Sequence, residues 1–474
     1  MTDVDAVVVG SGPNGLVGAV LLAEAGLRVV VLEAADRPGG GLRTQELTLP
    51  GFRHDVGATV HALGLASPAF RALDLAREGL AFSHPEIPLG HALAPGRSVL
   101  LRRSAAETAA ALGRDGRRWE NVMGAPWEPL AAAALDPAAL PPASTRGLLR
   151  LGAHGAWPAT WAMGTAFREE PARALLAGLA AHAALPLDAF VTSGFAIVLG
   201  ALAHGVGWPV ATGGSQALAD ALVARLEALG GELRTGHRVR SLDELPTARV
   251  TLLDVGPRQL LAIAGDRLPL DFARRLARWR DAPGVFKLDW ALDAAVPWAD
   301  PALAAAGTVH LGGPAATVVA SERAVSRGSV SSEPFILLVQ PSVADPSRAP
   351  EGKQTLWAYL HVPNSWDRDA TDLVEARIEA FAPGFRDRVL ARHAMGPAAL
   401  ETWDANLVGG DIGGGRTDWR QLVSRPRLSR TPWAIPSSGP GPDLYLCSAS
   451  TLPGGGVHGM GGWHAARAAL RRLG

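Results

Sequence analysis

The sequence predicts an α/β protein built around a Rossmann-like nucleotide-binding domain, and three adjoining patterns carry this prediction. Residues 5–10 (DAVVVG) form a short apolar run typical of a strand that is buried on both faces. Residues 14–26 place small and apolar residues at helical spacing and stop at Gly26. Residues 28–32 (RVVVL) predict a second buried strand. Two parallel strands with a helix between them make one right-handed crossover.

A glycine-rich turn, GSGPNG, joins the first strand to the helix. Gly10 allows a tight turn, Gly12 lets the backbone approach a pyrophosphate, and Gly15 lets helix and strand pack closely. The helix that follows, predicted over residues 14–26, then faces an anion with the free N–H groups of its N-terminus. We therefore expect this turn to bind a dinucleotide.

The residues after the second strand favour FAD over NAD as that dinucleotide. Glu33 ends the strand about twenty residues after the turn, where a carboxylate holds the hydroxyls of an adenosine ribose. A glycine triplet at 39–41 lets the backbone lie against a long, extended cofactor. Arg43 offers a guanidinium group to a phosphate, although a surface arginine is the alternative reading.

A second glycine-rich turn lies near the other end of the sequence. A strand (DLYLCSA), a turn (PGGGVHGMGG) and a helix (WHAARAALRRL) follow each other over 443–473. Six glycines among the nine residues 454–462 carry a large entropic cost for a simple turn. We expect the helix start to be a second anion site that faces the pyrimidine end of a flavin, where negative charge develops on reduction.

The remaining segments predict a discontinuous FAD-binding domain with a mixed α+β substrate domain inserted into it. Residues 76–204 have a helical pattern, whereas 266–404 mix helix and strand. A further amphipathic helix over 216–229 and the strand-like runs after it return to the cofactor domain. The FAD-binding domain is expected to comprise residues 1–75, 205–265 and 405–474, and the substrate domain residues 76–204 and 266–404.

Three stretches of the sequence resemble the phytoene desaturase-like flavoproteins, nearest to the branch of pyridine nucleotide-disulfide oxidoreductase domain-containing protein 2. They read VVVGSGPNGLVGAVLLAEAGLRVVVLEAADRPGGGLRT, GFRHDVGATVHAL and LYLCSASTLPGGGVHGMGGWHAARAAL. The resemblance implies one non-covalently bound FAD and an apolar substrate beside the flavin ring. The span 237–254 is shorter than the β-meander of many relatives, and Val239 is its candidate for meeting the adenine. The cofactor contacts expected from motifs and resemblance together are Gly10, Gly12, Pro13, Asn14, Gly15, Glu33, Ala34, Gly40, Gly41, Leu42, Arg43, Gly57, Ala58, Val239, Gly455, Gly456, Val457 and Met460.

Three residues near the predicted flavin are candidates for acid–base catalysis. Asp55 and His61 flank Gly57 and Ala58, two small residues that allow close backbone approach, and His458 lies inside the C-terminal turn. For each of the three, a hydrogen bond that positions its loop is the alternative role.

Other side chains are candidates for the substrate cavity. His361 lies on a predicted strand and is a candidate for facing it. An apolar channel has five candidate tryptophans, which core packing explains equally well: Trp157, Trp161, Trp208, Trp357 and Trp366. Cys447, the one cysteine, is expected to be a small buried thiol rather than a covalent flavin link.

The composition narrows the function classes. Lys+Arg and Asp+Glu balance at 45 each, so no basic surface is expected to attract nucleic acid. A single cysteine excludes a cysteine-rich metal site, and no other metal site is predicted. The low cysteine content suits a protein of the reducing cytoplasm. No apolar run of about 20 residues predicts a membrane span, while peripheral membrane contact stays open. We expect a cytoplasmic protein, with peripheral association with a membrane as the open alternative.

The predicted function is a desaturating, FAD-dependent oxidoreductase. Hydride would leave a C–H bond of an apolar, isoprenoid or polyene-like small molecule for flavin N5. The alternatives are an amine-oxidase-type oxidation, a saturase, a flavin isomerase, and a non-catalytic prenyl-binding protein of the same fold. The sequence assigns neither the electron acceptor nor the oligomeric state.

Overall fold

The computed structural model describes residues 4–124, 126–137, 141–438 and 441–474. The strands are β1 (Ala6–Val9), β2 (Val29–Leu32), β3 (Thr44–Gln45), β4 (His54–Asp55), β5 (Phe82–Ser83), β6 (Ile87–Ala94), β7 (Arg97–Leu101), β8 (Val210–Ala211), β9 (Glu232–Arg234), β10 (Val250–Leu253), β11 (Gly284–Leu292), β12 (Ala306–Leu311), β13 (Ile336–Val339), β14 (Gln354–Val362), β15 (Val389–Met395) and β16 (Asp443–Leu446). The helices are α1 (Pro13–Glu24), α2 (Ala62–Ala66), α3 (Pro68–Leu73), α4 (Ala105–Ala111), α5 (Gly116–Met123), α6 (Trp127–Leu135), α7 (Thr145–Arg150), α8 (Ala159–Ala166), α9 (Glu170–Ala181), α10 (Thr192–Gly205), α11 (Gln216–Ala228), α12 (Pro257–Ala264), α13 (Leu270–Ala277), α14 (Ala315–Ser326), α15 (Pro341–Ala344), α16 (Thr371–Phe381), α17 (Pro397–Trp403), α18 (Trp419–Ser424) and α19 (Met460–Leu473).

A five-stranded parallel sheet in the order β16-β10-β1-β2-β9 forms one layer of the protein. Both of its faces are covered, because Ala6 and Val8 of β1 pack in one hydrophobic core and Val7 and Val9 pack in another. This double burial explains the unbroken apolar run of β1. The predicted α/β fold with a Rossmann-like sheet is confirmed.

A seven-stranded, mostly antiparallel sheet in the order β15-β11-β14-β13-β12-β6-β7 forms the second layer. Successive residues of β14 lie on opposite faces of this sheet. Leu356, Ala358 and Leu360 of β14 join a core that includes residues of α16, while Trp357 and Tyr359 lie on the other face. One face of this sheet is therefore free to form the wall of a cavity.

The helical expectation for residues 76–204 is wrong for one stretch, which contains β6 and β7. The sequence of β6, IPLGHALA, has the alanine and leucine content of a helix but includes Pro88 and Gly90. Pairing with β12 and β7 outweighs this composition. Gly90 suits the strand, because a Cβ there would lie 2.4 Å from Leu303. The rest of the segment agrees with the helical pattern, since it contains α4, α7 and α9 among other helices.

Helices α1 and α19 cross closely, and this crossing brings the two glycine-rich turns together. A Cβ on Gly462 would lie 1.8 Å from the carbonyl oxygen of Asn14, and one on Gly461 would lie 2.1 Å from that of Cys447. Part of the glycine content of the C-terminal turn therefore serves helix packing. Among the described residues, no helix has the length and apolar character needed to cross a membrane.

Candidate cofactor and substrate site

A single cavity of about 1160 Å³ extends from the first turn of α1 to the free face of the seven-stranded sheet. Ligand pockets usually measure about 300–1,000 Å³, so this volume suits more than one small molecule. We call the part at the glycine motif the nucleotide end. We call the part at the sheet face and α10 the chamber; its wall includes Val285, Leu337, Phe195 and Val198.

The nucleotide end is built from the predicted glycine turn. Gly10, Gly12, Pro13 and Asn14 all line the cavity. Gly10 has a φ of +97°, which other residues rarely adopt, and Gly12, the N-cap residue of α1, has no side chain that could cap the helix. A helix N-terminus preceded by bare glycine backbone fits an anionic pyrophosphate.

Gly15 does not line the cavity. A Cβ there would lie 2.2 Å from the carbonyl oxygen of Gly10, and its N–H donates to Asp254 Oδ2 at 2.9 Å. Its role is to keep the turn closed against α1, which agrees with the packing role expected for the third glycine.

Glu33 lines the cavity with both carboxylate oxygens fixed. One accepts hydrogen bonds from the N–H of Ser11 at 2.8 Å and from its hydroxyl at 2.6 Å, and the other accepts from the N–H of Ala35 at 2.8 Å. Ala34 and Val239 lie on the same stretch of wall. The arrangement places a preorganised carboxylate beside a small apolar surface, as an adenosine end requires.

Arg43 lines the cavity too, but its guanidinium group already has protein partners. It donates to the carbonyl oxygens of Gly40 at 3.1 Å and Trp403 at 2.9 Å, and it lies 4.1 Å above the Trp403 ring. Gly40 and Gly41 also line the cavity. Leu42 does not, because its side chain is fully buried in the core, so its expected cofactor contact needs correction.

Asp254, which sequence reasoning missed, lies in the middle of the nucleotide end. Burial raises its pKa to about 7, against the lowering effect of the N–H of Gly15, while Asp404 and Glu33 raise it further. The signal available in the sequence was its position directly after β10, at the carboxyl edge of the parallel sheet, where ligands bind in α/β folds.

The C-terminal turn reaches the cavity through Gly455, Gly456, Val457 and His458. Met460 is fully buried and lies outside the lining, so its expected contact needs correction.

The start of α19 also differs from the expected anion site. The N–H of Gly461 donates to the side chain of Asn14 at 3.1 Å, and the N–H of Met460 donates to His458 Nδ1 at 3.1 Å. These donors are engaged within the protein, so the first turn of α19 offers an anion less than the sequence suggests.

His458 has both ring nitrogens in backbone hydrogen bonds. Because Nδ1 accepts from the N–H of Met460, Nε2 carries the proton and donates to the carbonyl oxygen of Gly454 at 3.2 Å. Burial lowers its pKa to about 4. The ring holds the turn together, and the expectation of proton transfer to a substrate needs correction in favour of the alternative role.

Asp55 and His61 lie behind the cavity wall rather than in it, so their catalytic roles need correction as well. Burial alone would raise the pKa of Asp55, but it is lowered because the guanidinium group of Arg348 lies 2.6 Å from the carboxylate. His61 Nε2 lies 2.8 Å from the hydroxyl of Ser215, and burial lowers its pKa to about 4. Both side chains fix the loop that carries Gly57 and Ala58, which do line the cavity.

The sheet face supplies the polar part of the chamber wall. Lys287, Thr308, Trp357 and Tyr359 line it, and Lys287 Nζ pairs with the buried Asp289 on the same strand. Burial raises the pKa of Tyr359 above its ordinary value. For Lys287, Trp357 and Tyr359, the alternation of β11 and β14 was a signal that could have identified them, since each lies at an odd position of a strand whose even positions are mostly apolar.

Some of the other side chains predicted for the cavity line it, and others do not. Of the five predicted tryptophans, Trp208 and Trp357 line the cavity, whereas Trp157 and Trp161 lie on the protein surface and Trp366 packs against Phe286. His361 does not reach the cavity, because it pairs with Glu322 at 2.9 Å. Cys447 is fully buried and outside the lining.

Known proteins share this architecture. The family described as NAD(P)-binding Rossmann-like domain matches residues 8–75. Pyridine nucleotide-disulfide oxidoreductase domain-containing protein 2 of Rattus norvegicus is 28% identical, with 99% of this chain and 94% of the relative covered. The lycopene-forming phytoene desaturase of Pseudescherichia vulneris is 25% identical, with 96% of each chain covered. The predicted resemblance is confirmed.

Solved structures agree on the fold. An oxidoreductase from Methanosarcina mazei superposes with a TM-score of 0.62 at 17% identity, covering 98% of this chain and 100% of the other. Putrescine oxidase bound to putrescine gives 0.61 at 19% identity, with 99% of each chain covered. With the full-length relatives, these likenesses confirm the prediction of an oxidoreductase with a nucleotide-binding Rossmann domain.

Proposed function

We propose that the protein is an FAD-dependent oxidoreductase that desaturates a largely apolar molecule. The observation that carries the proposal is the continuity of the cavity, which joins the dinucleotide turn to an apolar chamber without an intervening wall. Bound FAD would supply the two-electron acceptor for a hydride leaving a C–H bond of the substrate, while a proton leaves the neighbouring carbon.

The residues at the nucleotide end support FAD held without a covalent bond. Gly10, Gly12 and the first turn of α1 would hold the pyrophosphate, and Glu33 the adenosine ribose. Gly57 keeps its loop against the backbone at Gly41, because a Cβ there would lie 2.3 Å from the carbonyl oxygen of Gly41. Cys447 is enclosed by the protein and would make no thioether link to the cofactor.

The chamber supports an apolar, uncharged substrate and counts against amine oxidation. Leu151, Phe195, Val198 and Leu199 line it on the helical side. Among the described residues, the carboxylates that line the cavity belong to the nucleotide end, namely Glu33, Asp254 and Asp404. Lys287 is a cation on the chamber wall and offers a protonated amine no counter-charge.

A visible absorption spectrum of the purified protein, before and after anaerobic dithionite, tests the proposal. We expect flavin bands that bleach on reduction, with free FAD in the supernatant after heat denaturation. A colourless protein that also takes up no added FAD would overturn the proposal and favour a non-catalytic prenyl-binding protein. Flavin that stays with the precipitated protein would contradict only the non-covalent binding, and the proposal of an FAD-dependent oxidoreductase would stand.

We also propose that the protein contacts membranes peripherally at the mouth of the chamber. Apolar side chains exposed near α7 and α8 are Leu148, Leu149, Trp157, Trp161 and Phe190. Leu148 also lines the cavity, and α7 carries Arg146 and Arg150, which suit an anionic lipid surface.

Flotation with vesicles of phosphatidylglycerol tests this contact. Leu149→Ser should lower the bound fraction several-fold. Leu270→Ser, which removes a similarly exposed leucine from α13, should not. Equal loss in both variants, or no binding by the unaltered protein, would contradict the contact.

A further inference from the structure

Three histidines lie in or behind the chamber wall and are not needed for the nucleotide end. They are His91 on β6, His182 directly after α9 and His310 on β12. His182 is half-buried and lines the chamber, whereas His91 and His310 are fully enclosed. His182 is therefore the member of the group that a substrate can touch.

The rings of His182 and His310 are linked. Their Nε2 atoms lie 3.1 Å apart, so one nitrogen carries a proton and the other accepts it. Nδ1 is then the ring nitrogen of His182 that remains for a ligand, as donor or as acceptor according to which tautomer the pair adopts. The link therefore fixes the position of the His182 ring, while its Nδ1 can act either as a donor or as an acceptor.

His310 has little freedom to move. Its ring centroid lies 5.1 Å from that of Phe335 and 6.0 Å from that of His91. A Cβ on Gly178 of α9 would lie only 2.5 Å from Nδ1 of His310, so the helix backbone presses against the ring. His310 therefore acts as a positioning residue for His182.

The histidine pair is uncharged in this environment. Burial lowers the pKa of His182 to about 3, with the nearby His361 lowering it further, and burial also lowers the pKa of His310. A neutral imidazole suits a neutral oxygen as partner, whereas an ammonium or a carboxylate would stay without a counter-charge from it.

Thr308 offers a second polar atom to the chamber. It lies two residues before His310 on β12, and hence on the same face of the strand. Its side chain is 1% exposed and lines the cavity, yet its hydroxyl has no hydrogen-bond partner. A buried, unpaired hydroxyl costs free energy unless a ligand pairs with it.

We propose that His182, positioned by His310, and Thr308 form a subsite that hydrogen-bonds a hydroxyl or carbonyl oxygen of the substrate. The inference rests on the proposed function and narrows it, since the substrate then becomes an apolar alcohol, aldehyde or ketone rather than a pure hydrocarbon.

Equilibrium partition from cyclodextrin tests the subsite with two probes, a C20 isoprenoid alcohol and the hydrocarbon of the same chain. After correction for the cyclodextrin affinities, the protein should bind the alcohol about tenfold more tightly, the worth of one or two hydrogen bonds. The C20 carboxylic acid and the C20 amine should show no such preference. Equal affinity for alcohol and hydrocarbon would overturn the proposal.

Two variants test whether His182 and Thr308 cause the preference for the alcohol. His182→Phe and Thr308→Val should each bring the alcohol-to-hydrocarbon ratio close to one while the affinity for the hydrocarbon stays the same. The matched control is Thr251→Val, because Thr251 is equally buried with an unpaired hydroxyl but lies outside the cavity. If His182→Phe does not fold, Thr308→Val decides alone, and an unchanged ratio in it refutes the subsite.

The same preparations separate this inference from the proposed function. An alcohol preference in a protein that takes up no FAD would refute the oxidoreductase and keep the subsite. A reducible flavin without any alcohol preference would refute the subsite and keep the oxidoreductase.

Discussion

The two ends of the cavity are made of different kinds of atoms. At the nucleotide end the wall is backbone, supplied by glycines and by the first turn of α1, with Glu33 held by two neighbouring residues. At the chamber end the wall is side chain, supplied by alternate residues of β11, β12, β13 and β14. A backbone wall recognises a shape that many proteins share, whereas a side-chain wall can be changed one residue at a time. The first suits an invariant cofactor and the second a particular substrate.

The sharpest way to break the backbone end is Gly15→Ala. The added methyl group would lie 2.2 Å from the carbonyl oxygen of Gly10, and backbone cannot yield as a side chain does. We expect no measurable uptake of FAD and a lower unfolding temperature. Gly164→Ala on α8 is the control, since a Cβ there has nothing within 4 Å. Normal FAD uptake by Gly15→Ala would contradict the close packing of the turn.

The chamber end should respond most to Lys287→Met. Lys287 and Lys353 are the two lysines of the chain, and only Lys287 forms an ion pair among the described residues. Removing it leaves Asp289 buried and unpaired, which costs about 3 kcal/mol in free energy of unfolding. Denaturant titration measures the loss, and Lys353→Met should change the value by less than about 0.5 kcal/mol.

A double variant sharpens the same prediction. Lys287→Met combined with Asp289→Leu removes both charges, so most of the lost stability should return. If the double variant is as unstable as Lys287→Met alone, the ion pair is not the cause of the loss.

The stability of the nucleotide end should also depend on pH through Asp254. Its pKa is raised from 3.8 to about 7, so the folded state holds a proton that the unfolded state has lost between these values. The stability that this proton contributes is fully present below pH 3.8 and is lost as pH rises through about 7. Asp254→Asn should remove this part of the pH dependence in denaturant titrations.

The affinity for FAD should also depend on the protonation of Asp254. A neutral carboxyl tolerates a nearby pyrophosphate better than a carboxylate does, so the unaltered protein should bind FAD up to about tenfold more tightly at pH 6 than at pH 8. Asp254→Asn should bind with equal affinity at both. A pH dependence that persists in Asp254→Asn would assign the effect to another group.

The glycine turn of the nucleotide end could be predicted from the sequence, because its residues are contiguous and the turn between strand and helix fixes their spacing. Gly10 to Glu33 make one crossover, and each glycine answers a local requirement of the chain. The error at Asp55 arose because its partner, Arg348, is distant in sequence. The error at His458 has another cause. Its ring binds backbone groups of Gly454 and Met460, which are near in sequence, but the motif does not indicate the turn conformation that brings them to the ring.

The chamber end was harder, because its wall draws on strands that are remote from each other in the sequence. Alternation in β14 indicates that Trp357 and Tyr359 share a face, but not what that face meets. His182 follows a helix in an alanine-rich run, where it has no motif at all. Its importance emerges only from the approach of His310, a residue of another element.

The order of strands in the parallel sheet has a consequence for biosynthesis. The neighbour of β1 on one side is β10, whose own outer neighbour β16 begins at Asp443, and α19 then packs on α1. At usual rates of translation, roughly 20 to 90 s separate the emergence of β1 from that of β16. During this interval the apolar face of the first crossover lacks the cover that α19 supplies in the folded protein.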